Sequence, residues 1–319
     1  MTKKRQKIAS IIIPILLGVV FIIYTYHSFT NEQMQKMKGY FINANYFYVF
    51  LSAIIAFISY VLRAYRWKYT LEYIGYVSNF KLNFIAVSIG YFLNLTIPRS
   101  GEFSRALLLT KYQNIPFDKA FGTIIAERIV DFIILLLFIF TAIAIEYNTL
   151  KSFLLLYIPY KKLIWIVALL GVFCLLGIYV LLYSKHKWVL WFRNKISGLT
   201  DGILSVFKMP NKWHFIFQTL LIWACYIFMF YMVVFAIGET KNISLGAVIV
   251  AFVIGSLTIA FTNGGFGFFP VLIANILLLY NVSFEAGNAF GWIVWISQLI
   301  ITVILGALSF LLLPVVTKK

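Results

Sequence analysis

Apolar residues run along this chain in blocks, with polar residues gathered between them. Continuous apolar blocks occupy roughly 8–28, 44–62, 119–146, 162–184, 213–237 and 285–314. Their lengths suit α-helices that cross about 30 Å of hydrocarbon, which takes ~20 residues. Two further apolar regions are interrupted. The first, 82–110, breaks at Pro98-Arg99-Ser100-Gly101, and the second, 243–281, breaks at Asn263-Gly264-Gly265-Phe266-Gly267 with Pro270 just beyond. Unpaired backbone in lipid costs several kcal/mol per group, so helices break at depth only where the break is buried in protein or wet. The pattern predicts an all-α polytopic membrane protein with about six spanning helices and two broken re-entrant hairpins. Between 186 and 208 the pattern changes. Trp188, Phe192, Leu199, Ile203 and Phe207 share one helical face, and Lys187, Arg193, Lys195 and Asp201 fall elsewhere. That stretch reads as an amphipathic helix lying in the interface, with a solvated basic loop as the alternative.

Composition agrees with a membrane protein. The 319 residues are 62% hydrophobic and 12% charged, against about 25% charged in soluble domains. The repeated blocks and short connections are read as one membrane domain over 1–319. The net charge of +17 is read as a topology signal and as contact with anionic lipid, not as a nucleic-acid surface. If each interrupted region enters and leaves on one side, most basic residues fall on the cytoplasmic side. These include Lys3, Lys4, Arg5, Arg63, Arg66, Lys68, Lys81, the cluster from Lys185 to Lys212, and Lys318 and Lys319. Both termini are then cytoplasmic, in the inner (cytoplasmic) membrane, with the first block an uncleaved helix. The hairpins at 82–110 and 243–281 enter from opposite faces. That inverted arrangement is the pattern of transporters whose site lies near the midplane.

Chemistry concentrates at three places. At the first break, Pro98 disfavours helix at Ile97 and Gly101 permits close approach. The N–H groups opening the next helix, together with Arg99 and Arg105, make an anion-binding design suited to a phosphate. The structural alternative has Arg99 reaching the headgroups and Arg105 paired with Glu102. The second place is Glu127-Arg128-Ile129-Val130-Asp131, where the two acids share a helix face and Arg128 lies three residues from Asp131. Glu127 lacks a local partner, so it either clamps Arg99 or Arg105 or meets a cationic headgroup. The third is the uncharged break at Asn263, Gly264, Gly265 and Gly267. Asn94, Asn263, Asn275 and Gln298 are candidates for hydrogen bonds inside a wet cavity or, more commonly for such residues, between helices. Cys174 and Cys225 lie within apolar runs and read as packing residues. His27, His186 and His214 are scattered, without metal-ligand spacing. No nucleotide-binding or nucleophile motif is present, and no cofactor is expected.

The ordered set Pro98-x-x-Gly101-Glu102-x-x-Arg105-Ala106, Glu127-Arg128-x-x-Asp131 and Gly264-Gly265-x-Gly267 resembles the lysylphosphatidylglycerol synthase transmembrane-domain family. That family is flippase-like, and its two-domain members add a cytosolic transferase. The chain ends at Lys319, just after the last apolar block. The resemblance therefore implies a stand-alone member that lacks the transferase and is not itself a lysyl transferase. The expected function is to bind and move a lipid with an anionic or zwitterionic headgroup. The expected site comprises Arg99, Ser100, Gly101, Arg105, Glu127, Arg128, Asp131, Asn263, Gly264, Gly265 and Gly267. Two alternatives stand beside it. One is a membrane enzyme acting on a lipid-linked headgroup; the other is a scaffold for a separate lipid-modifying enzyme. Self-association is compatible with all three.

Overall fold

The computed structural model describes residues 29–97, 99–151, 208–262 and 264–317, with single positions between 19 and 27, between 176 and 186, and at 206. The block at 162–184, nearly all of 8–28 and of the interfacial segment 186–208, and Pro98, Cys174 and Asn263 lie outside the described residues.

Among the described residues the chain is all-helical. The helices are α1 (Asn31–Ile42), α2 (Tyr46–Tyr73), α3 (Phe80–Thr96), α4 (Ser100–Gln113), α5 (Phe117–Ile145), α6 (Lys212–Val234), α7 (Leu245–Phe261), α8 (Phe268–Leu278) and α9 (Phe284–Thr317), with a 3-10 turn at Gly238–Thr240. Four of them, α2, α5, α6 and α9, are long and apolar enough to cross a membrane. Side-chain oxygens cap several starts. Asn45 accepts from the Phe47 N–H, Asn79 from Lys81 and Ser244 from Ala247; each such cap satisfies a donor that the helix leaves open.

The two interrupted regions form two helix–break–helix pairs. In the first, α3 stops at Thr96 and Ile97 is extended, as the residue before a proline must tend to be. Arg99 takes a left-handed conformation (φ 61°) and α4 begins. The α4 start is anchored to α3 by Asn94, whose Oδ1 accepts from the Gly101 N–H at 2.7 Å. Gly90 and Gly101 bring the two backbones together, and a Cβ on Gly101 would overlap the Gly90 carbonyl. In the second pair, Gly264, Gly265 and Gly267 all have positive φ, a region that side chains disfavour. The break's backbone groups find partners within the protein. Gly265 N–H donates to Thr262 Oγ1 at 2.9 Å, and Trp295 Nε1–H of α9 donates to the Gly264 carbonyl at 2.8 Å.

Each pair packs into its own core. Leu82, Ala86 and Val87 of α3 and Ala106 and Leu109 of α4 pack with Ala64, Trp67 and Leu71 of α2. Val250, Phe252, Phe269 and Ile273 of α7 and α8 pack with Phe230 of α6 and Phe290 of α9. Helix α9 joins the halves, contributing Phe290 to one core and Leu305 to the other. Small residues set its close contacts: Gly287 lies on Ala274, Gly291 on Pro270 and Gly306 on the Phe92 ring. Without a hydrophobic drive between helices in lipid, such close approach supplies the packing energy. At one end, Glu239 ties α1 to α9 by accepting from Tyr40 Oη–H and from the Ser283 N–H and hydroxyl. Burial pushes the Glu239 carboxyl up, but these hydrogen bonds prevail and hold it below its ordinary value.

The Gly90–Gly101 contact yields a stability test. Gly101→Ala should lower the stability of protein in lipid nanodiscs by about 1–3 kcal/mol, through overpacking. Gly122→Ala, whose new methyl meets nothing within 4 Å, should be neutral or slightly stabilising. Thermal unfolding of the two variants beside the wild type checks this.

Candidate functional site: a buried arginine–carboxylate network beside the first break

Helix α5 places Glu127 and Asp131 one turn apart, and both are buried. Opposite them on α2 stand Arg63 and Arg66, at 3% and 0% exposure. Arg66 grips Asp131 in bidentate fashion, Nη1 to Oδ1 at 2.7 Å and Nη2 to Oδ2 at 3.1 Å. Arg63 Nη1 adds a third bond to Oδ2 at 3.0 Å. Helix α6 completes the arrangement. Thr219 Oγ1 accepts from Arg66 at 3.0 Å, and the Tyr226 hydroxyl accepts from Arg63 Nη2 at 2.7 Å. One carboxylate thus ties together two arginines whose other donors reach a third helix.

The network continues to the first break. Arg105 of α4 donates from Nη2 to Glu127 Oε2 at 3.2 Å, and Arg66 Nη2 lies 3.8 Å from the same oxygen. The Arg105 guanidinium stacks over Trp67, 4.1 Å from the ring centre, and Trp67 Nε1–H donates to Thr123 at 2.9 Å. Arg128 completes the series, 3.0 Å from Glu102 Oε1 and 3.8 Å from Asp131 Oδ2. Beside these groups lies a narrow crevice, lined by Gly90, Tyr91, Asn94, Gly101, Glu102, Arg105 and Arg128. Several polar atoms at its edge are buried without a hydrogen-bond partner: Arg105 Nε and Nη1, Arg128 Nε and Glu102 Oε2. Native proteins rarely leave such groups unpaired.

Of the residues expected to form the site, Gly101, Arg105, Glu127, Arg128 and Asp131 meet here. Arg105 pairs with Glu127 rather than with Glu102, which is taken by Arg128. Arg99 is exposed and outside the crevice lining. Ser100 is occupied locally: its hydroxyl donates to the Leu93 and Ile97 carbonyls and its N–H to Ile97. With the Gly101 N–H bound to Asn94, two donors at the α4 start are already used. Guanidiniums, more than the helix end, are therefore the anion-facing groups. Gly264, Gly265 and Gly267 belong to the other break. A second, small cavity of about 20 Å³ lies beside Gly267, lined also by Phe29, Val271, Asn288 and Trp292. Asn275 bonds back to Val271 on its own helix.

The expected end of the apolar block at 62, which left Arg63 and Arg66 beyond the helix, is corrected: both lie within α2 and are buried. Helix α2 continues eleven residues past the expected end at 62, to Tyr73. A periodic signal for this was present, since Tyr60, Ala64, Trp67 and Leu71 recur at helical spacing and are all buried. The positive charges hid it. Among the described residues no cluster of His, Cys, Asp or Glu suits a metal ion.

Removing one member of a buried ion pair strands the other. Asp131→Ala should therefore cost about 3–5 kcal/mol. Glu102→Gln, which breaks a partly exposed pair, should cost about 1 kcal/mol or less. Unfolding curves in a fixed lipid mixture separate the two.

The family described as lysylphosphatidylglycerol synthase TM region matches residues 11–306. The chain is also 36% identical over 136 residues to the UPF0104 membrane protein MJ1595 of Methanocaldococcus jannaschii, a match covering 42% of this chain and 39% of that protein. The shared stretch thus spans about two-fifths of that relative's length. No solved structure matches. With nearly its whole length matched, and with the membrane-spanning helices such a region requires, the chain belongs to the lysylphosphatidylglycerol synthase TM region family.

Proposed function

We propose that this protein binds a phospholipid headgroup in the crevice beside the first break and moves it across the cytoplasmic membrane, its acyl chains remaining in lipid. The observation that carries this reading is Arg105, 3% exposed, with Nε and Nη1 unpaired at the crevice. A guanidinium held at one edge by Glu127 and stacked on Trp67 presents its remaining donors in fixed geometry, which suits a phosphate. Stability alone does not account for the network, since apolar residues of similar volume are often as stabilising as a buried ion-pair cluster. The family's description, which ties it to a lipid-modifying synthase, supports the same reading.

In this reading Arg105 and Arg128 hold the phosphate, Gly101 and Asn94 shape the crevice, and Glu127 and Asp131 position the arginines. Arg99 receives the headgroup at the exposed edge. The whole chain acts as one membrane domain. The pairs α3–α4 and α7–α8 are re-entrant hairpins entering from opposite faces, with both termini cytoplasmic. Their members measure about 26, 21, 26 and 17 Å at 1.5 Å per residue, short of the ~30 Å hydrocarbon layer. Gly264, Gly265 and Gly267, with Asn263 beside them, allow the second pair to approach the polar interior. The crevice is too narrow for a water-sized sphere, so admitting a phosphate requires the Arg128–Glu102 pair to part. A partly exposed pair of this kind holds by only ~0–1 kcal/mol.

Lipid mass spectrometry on purified, folded protein tests the site. Wild type should carry one headgroup class enriched over its host membrane, and Arg105→Gln should lose that enrichment. A wild type carrying the bulk lipid mixture would remove the lipid-site reading. In reconstituted vesicles, transbilayer movement of that lipid should fall at least tenfold in Arg105→Gln. Topology has its own test. In a cysteine-free background, single cysteines at Asn79 and Asn114, flanking the first pair, should be labelled from the same side. Labelling from opposite sides would mean that the pair spans.

A further inference from the structure

Away from the ion-pair network, the second break has a buried polar group of its own. Asn288 of α9 is 1% exposed, and its Nδ2 has no hydrogen-bond partner. It lines the cavity beside Gly267, whose volume of about 20 Å³ is enough to hold one water molecule. A buried amide left unpaired is destabilising, and an apolar side chain at this position would remove that penalty. An asparagine here is better matched to a second state of the protein, in which water reaches it.

The cover of that cavity comes from α1. Phe29, just before the helix, and Met37 within it line the cavity together with Gly267, Asn288 and Trp292. Helix α1 is stabilised from within. Thr30 N–H donates to Gln33 Oε1 at 2.9 Å, Gln33 N–H donates back to Thr30 Oγ1 at 3.2 Å, and Lys36 pairs with Glu32 at 2.7 Å. Such a capping box satisfies a helix start without help from neighbouring elements. The hold of α1 on the rest of the molecule is slight. Of its twelve residues Met37 alone is buried. The Phe29 ring lies 5.7 Å from that of Phe284, and Tyr40 Oη–H donates to the exposed Glu239 carboxylate, which also accepts from Ser283. Just after α1 the chain is pinned. Asn45 N–H donates to the Ala236 carbonyl at 2.8 Å, and Tyr46 Oη–H to the Phe41 carbonyl at 2.8 Å. Few buried apolar contacts and exposed hydrogen bonds mark the segments of a protein that open most readily. We propose that α1 is a hinged lid over the second break. Pinned at Asn45 and latched by Tyr40 on Glu239, it lifts Phe29 and Met37 from the cavity and admits water to Asn288. The lid rests on α1 and its contacts alone, and does not depend on the lipid reading of the first break.

The test reads thiol accessibility of the full chain in lipid nanodiscs, in a cysteine-free background. Asn288→Cys should react with a charged methanethiosulfonate reagent. Tyr40→Phe, which removes the latch hydroxyl, should raise that rate at least fivefold. Tyr147→Phe, at an exposed tyrosine outside the lid, should leave it unchanged. Ala289→Cys, the next position on α9 but buried in the core, should stay unreactive with and without Tyr40→Phe, which separates lid opening from general loosening. Equal reactivity at positions 288 and 289, or a rate at 288 that does not respond to Tyr40→Phe, overturns the lid. A second readout leaves Asn288 in place. Spin labels on Lys38→Cys and Lys241→Cys, both at exposed positions, should give two interspin distances, and the longer one should gain population in Tyr40→Phe. A single distance that Tyr40→Phe does not alter overturns the lid as well. Neither readout involves ligand binding at the first break, so the lid can fail while the lipid reading stands, and stand if that reading fails.

Discussion

A buried ionised side chain needs opposite charge within a few ångströms, and in this protein Asp131 is the point around which that requirement is met. Its two oxygens hold Arg63 and Arg66 from α2. Those arginines reach α6 through Tyr226 and Thr219. One turn away, Glu127 holds Arg105 and so ties α4 to the same centre. Four helices are therefore placed relative to one another by charge as well as by packing. The register is demanding, since a shift of any helix would part a guanidinium from its carboxylate in surroundings that screen little.

The breaks become intelligible against that centre. Helix α4 starts where Asn94 and the Gly90–Gly101 contact hold it to α3, and this start sets Arg105 over Trp67 with two donors unused. A continuous helix through Pro98 would carry Arg105 away from Glu127. The second break solves the same backbone problem without charge, through Thr262, Trp295 and three glycines of positive φ. The two pairs thus share a construction but differ in chemistry: one presents guanidinium edges, the other an apolar cavity with Asn288 at its wall. Helix α9 belongs to both cores, and a relative motion of the halves would have to work against its glycine contacts.

Much of the fold was legible from residue order. Apolar blocks at 119–146, 213–237 and 285–314 became α5, α6 and α9 with ends within a few residues. Both breaks fell at the Pro/Gly clusters because proline and glycine act through local backbone geometry, which needs no tertiary context. The family resemblance read from the same motifs agrees with the family match over residues 11–306. The end of α2 was misjudged. Hydropathy counts Arg63 and Arg66 as polar and closes the membrane segment before them, whereas the helix runs on because Ala64, Trp67 and Leu71 continue its buried face.

The site was half legible for a related reason. An arginine or acid in an apolar stretch announces that it needs a partner, so Arg105, Glu127 and Asp131 stood out in the bare sequence. Which partner each takes depends on distances between helices far apart in the chain. The sequence left Arg105 either with nearby Glu102 or clamped by Glu127, and the structure chose Glu127, 22 residues away. The sequence by itself determined the membrane class, the helical blocks, the two breaks and the presence of charge within apolar stretches, because these follow from local composition and backbone chemistry. Only the tertiary structure decided that Arg63 and Arg66 join the centre, that Arg99 stands outside it, and which guanidinium edges remain free. Those outcomes are set by the packing of α2, α4, α5 and α6 against one another.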